Sequence, residues 1–118
     1  MAEGRAVRVL IVEDEFLVAM HLEALLGEMG YQVIGPATRI GEAIGLAREK
    51  DIDFAVLDIN LAGTKTFPVA DILRQRGVPF MFASGYGSEG LIDGYRDEGV
   101  LQKPYDIAQI RDALARIS

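Results

Sequence analysis

At 118 residues the chain is long enough to bury an ordinary core, and one domain over residues 1–118 is expected, with no room for a separate output module. A composition 50% hydrophobic and 25% charged excludes a disordered or fibrous protein, and a net charge of −6 with scattered Lys and Arg leaves no basic footprint for nucleic acid or anionic lipid. The lack of cysteine excludes a disulfide framework and thiol catalysis, no apolar window approaches the roughly eighteen residues of a membrane span, and Met1-Ala2-Glu3-Gly4-Arg5 does not begin a signal peptide; a cytoplasmic protein is expected.

Ala6 to Val12 is β-branched and nearly continuously apolar, which predicts a first strand ending abruptly in Glu13-Asp14-Glu15. From Glu15 to Met29 the apolar residues Val18, Leu22, Leu25, Leu26 and Met29 fall three or four apart. This is an amphipathic helix closed by Gly30, with Asp14 as a candidate N-cap. Phe16, Leu17 and Met20 broaden its apolar face beyond what that stripe requires, so they read either as further core or as a docking surface for a partner's helices. His21, the only histidine, lies mid-helix beside the stripe, where a structural imidazole is the expected reading.

Tyr31 to Gly35 predicts a second strand, and Ile40, Ala43, Ile44 and Ala47 mark one face of a second helix weakened by Gly41 and Gly45. The apolar run Phe54-Ala55-Val56-Leu57, preceded by Asp53, reads as a strand buried on both faces that delivers Asp58 to its carboxyl end. A polar loop around Ala62 to Thr66 leads to a third helix from about Pro68, stopped by Gly77 and Pro79. Pro79 to Ala83 is a fourth buried strand. Five glycines between Gly85 and Gly99 allow only a short, loosely held fourth helix. Val100 to Gln102 is a fifth strand broken by Lys103-Pro104, and Asp106 caps a last helix striped by Ile107, Ile110, Leu114 and Ile117.

This alternation predicts an α/β fold: a doubly wound parallel sheet of five strands with helices on both faces. In such a sheet the strand ends converge on one edge, which brings together Glu13, Asp14, Asp58, Ser84 and Lys103. Two carboxylates about 4 Å apart repel by roughly 4 kcal/mol at an effective dielectric near 20, so three of them call for a divalent cation. Oxygen-only ligands that leave room for water favour Mg²⁺ over a caged Ca²⁺ or a zinc site. A phosphoryl group on Asp58 would then carry charge for the metal, the Lys103 ammonium and the Ser84 hydroxyl to offset.

An acidic pair after strand one, Asp58 after strand three, Ser84 after strand four and Lys103-Pro104 after strand five resembles, across essentially the whole chain, the receiver domain of two-component response regulators. The resemblance implies a flavodoxin-like strand order 2-1-3-4-5 and makes Asp58 the phosphoacceptor for a sensor histidine kinase. It implies Mg²⁺ held by Asp14 and Asp58 directly, by Glu13 through water and by the Asn60 main-chain carbonyl, with Lys103 on the phosphate and Ser84 as the hydroxyl that swings toward it. Pro79-Phe80-Met81-Phe82-Ala83-Ser84-Gly85-Tyr86-Gly87 is similar to the signature of the FAT GUY receivers, with Ser84 in place of its Thr. Two other positions depart from the family. Val100 stands where an aromatic switch residue is usual, and Thr66 where a Gly usually follows the acceptor by eight residues, so a different path is expected for the acceptor loop.

Three functions follow. In the first, phosphorylation of Asp58 rearranges the face from Ser84 to Gly99 and changes partner affinity, or the chain serves as a phosphate sink or as a shuttle to a histidine phosphotransfer protein or another target. It would then be no enzyme beyond taking phosphate from small donors and autodephosphorylation. In the second, Asp58 is the nucleophile of a phosphohydrolase, which Asn60 disfavours because it cannot act as the general acid such enzymes place there. In the third, the chain is a pseudo-receiver that binds partners without phosphorylation.

Overall fold

The computed structural model describes residues 6–84, 100–102 and 108–112. β1 (Arg8–Val12), β2 (Gln32–Ala37), β3 (Phe54–Asp58), β6 (Phe80–Ser84) and β7 (Val100–Gln102) form one parallel sheet in the order β2-β1-β3-β6-β7. This is the expected 2-1-3-4-5 order. Every residue of β3 is buried and four of the five in β1 are, as the unbroken apolar runs require of central strands covered on both faces.

The two faces carry separate cores. On one, α2 (Ile40–Glu49) and α3 (Phe67–Gln75) pack Ala43, Ala47, Val69, Ala70 and Leu73 against Leu10, Ala55, Leu57 and Phe82. On the other, Leu22 and Leu26 of α1 (Phe16–Glu28), with Ile110 from the helical stretch 108–112, cover Val9, Ile11, Phe54 and Val56. Phe82 lies edge-on to both Phe80 and Phe67, with each pair of ring centroids 5.7 Å apart.

Several boundaries differ from the sequence reading. The N-cap of α1 is Glu15, not Asp14, and no side chain caps that end. The physical reason is that the Asp14 carboxylate lies among the other acids of the strand edge instead. Phe16, Leu17 and Met20 are not core: they are 73%, 77% and 51% exposed. His21 is exposed as well.

β2 runs two residues further than Gly35, past the cis Gly35-Pro36 peptide, and its pairing with β1 shifts register between Leu10 and Val12. Proline has no amide to donate, and here it sits on the outermost strand at an irregularity, where a lost ladder bond costs least. Gly35 has φ +97, and a Cβ there would lie 2.7 Å from Ala37 N and 2.9 Å from Ile11 O, so the chain passes too close to β1 for any side chain.

The polar loop after β3 is a hairpin. β4 (Asn60–Leu61) and β5 (Thr64–Lys65) pair antiparallel through a two-residue turn, with φ 50 at Ala62 and φ 88 at Gly63. Positive φ at both central residues is what a type I′ hairpin turn demands. The Gly85 to Gly99 segment, where a short fourth helix is expected, and Lys103, Pro104, Asp106, Ile107, Leu114 and Ile117 lie outside the described residues.

Candidate functional site

The carboxyl ends of β1 and β3 are adjacent, because Val12 pairs with Leu57 and Asp58 is the next residue along. Glu13 continues directly from β1, and its N–H donates to Ala37 O of β2 at 2.9 Å. Its side chain turns inward, 2% exposed, and the carboxylate accepts the Glu15 N–H at 3.1 Å. Asp58 is 8% exposed, while Asp14 is open to solvent. One carboxylate oxygen from each of Glu13, Asp14 and Asp58 lies within 4.8 Å of the others.

Three charges at that spacing repel by about 3 to 4 kcal/mol per pair at an effective dielectric near 20. Two are buried and one is exposed, so the cluster opens to solvent on the Asp14 side. The donor set is oxygen only, with no sulfur or imidazole, and it has an open side where water could complete a coordination shell. Those are the conditions that suit Mg²⁺.

Asn60, two residues past Asp58, is exposed on β4 opposite Lys65. Ser84 is the last residue of β6, level with Gln102 of β7, which puts its backbone on the same sheet edge. Lys103 follows β7 outside the described residues.

Sequence reasoning noted Thr66 only as a departure from a family pattern. In the fold it is completely buried at the end of the loop that follows Asp58, and its hydroxyl donates to Asp58 O at 2.5 Å. Its spacing of eight residues from Asp58, at a polar-to-apolar boundary before Pro68, was the available signal.

A doubly wound five-stranded sheet with an acidic pocket at its carboxyl edge places this chain among α/β proteins whose candidate ligand site lies at the strand ends. Residues 9–115 match the response regulator receiver domain, and the chain belongs to that family, whose members take phosphoryl groups in two-component signalling and bind Mg²⁺ at an acidic site. It is 35% identical to the phyllosphere-induced regulator PhyR of Methylorubrum extorquens over 98% of this chain and 45% of the relative. It is 32% identical to the transcriptional regulatory protein PdtaR of Mycobacterium tuberculosis over 91% of this chain and 54% of the relative. The chain thus spans about half the length of these curated relatives.

The solution structure of SdrG from Sphingomonas melonis Fr1 superposes with a TM-score of 0.84 at 37% identity, covering 95% of this chain and 96% of that one. The BeF3-activated conformation of SdrG gives 0.79. Among the described residues no helix is long and apolar enough to cross a membrane.

Proposed function

We propose that Asp58 accepts a phosphoryl group from a sensor histidine kinase, in the manner of the FAT GUY receivers. The observation that carries this reading is the convergence of the adjacent pair Glu13 and Asp14, just past β1, with Asp58 at the end of β3, their carboxylate oxygens within 4.8 Å of one another. Asp14 and Asp58 would hold Mg²⁺ directly and Glu13 through water, and the Asn60 main-chain carbonyl would add a further ligand. When bound, the ion offsets charge on the phosphoryl group.

An Asp58 carboxylate oxygen attacks phosphorus. The new P–O bond forms as the P–N bond of the donor phosphohistidine breaks, and the imidazole leaves with that electron pair and takes up a proton. Lys103 pairs with the phosphoryl oxygens, and the Ser84 hydroxyl donates to one of them, drawing the face from Ser84 to Gly99 into a new arrangement. Beyond taking phosphate from small donors and autodephosphorylation, no turnover is expected.

The exposed row Phe16, Leu17 and Met20 on α1 is flanked by the exposed acids Asp14 and Glu15 at the helix start and Glu23 further along. An apolar strip rimmed by acids beside the acceptor suits a kinase or histidine phosphotransfer helix that brings its histidine to Asp58 between apolar and basic side chains. The test is labelling with acetyl phosphate. The wild-type protein is expected to incorporate phosphate in the presence of Mg²⁺ and lose the ability with EDTA, and Asp58→Asn is expected to fall to background. Equal labelling of the Asp58→Asn protein overturns the assignment.

A further inference from the structure

We infer that Thr66 is a positioning residue for the acceptor, set to hold the Asp58 main chain rather than to start a helix; this rests on the phosphoacceptor reading above. Among the described residues only three polar or charged side chains are buried: Glu13, Asp58 and Thr66. The first two belong to the acidic pocket. Thr66 is the most completely buried of the three, and its hydroxyl bonds main-chain carbonyls.

Its bonding partners explain the burial. Thr66 occupies the N-cap of α3, and its carbonyl accepts the N–H groups of Val69 at 2.9 Å and Ala70 at 3.1 Å. A threonine there ordinarily turns its hydroxyl forward onto the first free amides of the helix. This one makes no such bond. The hydroxyl points back along the chain and donates to Asp58 O at 2.5 Å, with Ile59 O at 3.4 Å, while the Thr66 N–H donates to Ile59 O at 3.0 Å.

One residue therefore grips the consecutive carbonyls of Asp58, which ends β3, and Ile59, which follows it. Between these grips lies the β4–β5 hairpin, which carries Asn60, so the segment from Asp58 to Thr66 is a loop tied at its base. The Asp58 carboxylate branches from the same Cα whose carbonyl the hydroxyl holds. Phosphoryl transfer depends on placement more than on covalent participation by the protein, and a small misplacement of the acceptor lowers the rate steeply.

The experiment compares wild type with Thr66→Val, which keeps the shape and loses the donor, and Thr66→Ser, which keeps the donor. It reads the acetyl phosphate labelling rate at saturating Mg²⁺, the Mg²⁺ dissociation constant by calorimetry, and hydrogen exchange of the Asn60 to Lys65 amides in the metal-free protein. Thr66→Val is expected to label about tenfold more slowly even at saturating Mg²⁺, to bind the ion more weakly and to exchange faster in the hairpin, and Thr66→Ser is expected to stay within about twofold of wild type on all three readouts. Should Thr66→Val fail to fold, Thr66→Ser decides the matter: a folded serine variant that labels tenfold more slowly overturns the inference. Valine and wild-type proteins of equal rate and affinity overturn it too. A wild-type protein that takes no phosphate, by contrast, overturns the phosphoacceptor reading itself and the inference with it.

Discussion

The two edges of the sheet treat charge in opposite ways. At the amino edge each acid meets a donor from a neighbouring element: Asp53 accepts the Arg8 N–H at 2.8 Å and returns its own N–H to Arg8 O at 2.8 Å, and Asp51 lies 3.5 Å from the Arg8 guanidinium. Nearby, Arg76 donates to Ala47 O and Lys50 O, closing the carbonyl end of α2. At the carboxyl edge three acids at the ends of β1 and β3 bring carboxylate oxygens within 4.8 Å of one another, and Glu13 also accepts the Glu15 N–H at 3.1 Å. One edge is settled by its own residues. The other sets like charges close together at a spacing that a divalent cation would relieve, and this is what separates a fastening from a candidate site in a fold whose core is shared by both.

Substitutions sharpen or break this contrast. The largest effect is the loss of labelling in Asp58→Asn. Next, Glu13→Gln is expected to weaken Mg²⁺ binding by about 10- to 100-fold in calorimetry, as loss of an outer-shell carboxylate does, with the fold intact. At the opposite edge, Asp53→Ala is expected to lower unfolding stability by about 2 kcal/mol, because it removes a charged acceptor from a half-buried amide. Asp14→Asn has the opposite sign. It is expected to raise the stability of the metal-free protein by about 1 kcal/mol, the repulsion being partly screened at an exposed group. Urea unfolding of the last two proteins side by side checks the signs, and a destabilised Asp14→Asn protein would break the comparison.

Much of this was legible in sequence, for identifiable reasons. Unbroken apolar runs such as Phe54 to Leu57 report burial on both faces directly, and five strand-like segments with intervening helical periods left few topologies open. Because parallel strands put their ends on one edge, the meeting of Glu13, Asp14 and Asp58 was readable as well. The hairpin was not. Each of its strands has two residues, most of them exposed, which is too short for any alternation to register, and its turn uses Ala62 where Asn or Gly would have announced it.

The N-cap of α1 was misread for a related reason. Asp is favoured both as a cap and as a ligand, and only the fold shows that the Asp14 carboxylate joins the cluster while Glu15 takes the cap position. The direction of the Thr66 hydroxyl was likewise beyond sequence, since threonine before a helix ordinarily signals a cap.

Gly35 contributes no atom to the chemistry, yet the missing methyl lets the outer strand hug β1 closely enough for Ala37 O to receive the Glu13 N–H. The acidic pocket thus carries a hidden dependency two strands away from Asp58. A protein engineer who grafted the three acids onto another parallel sheet would have to transplant that glycine too. Drift at this silent position would erode the pocket as surely as drift in the acids themselves.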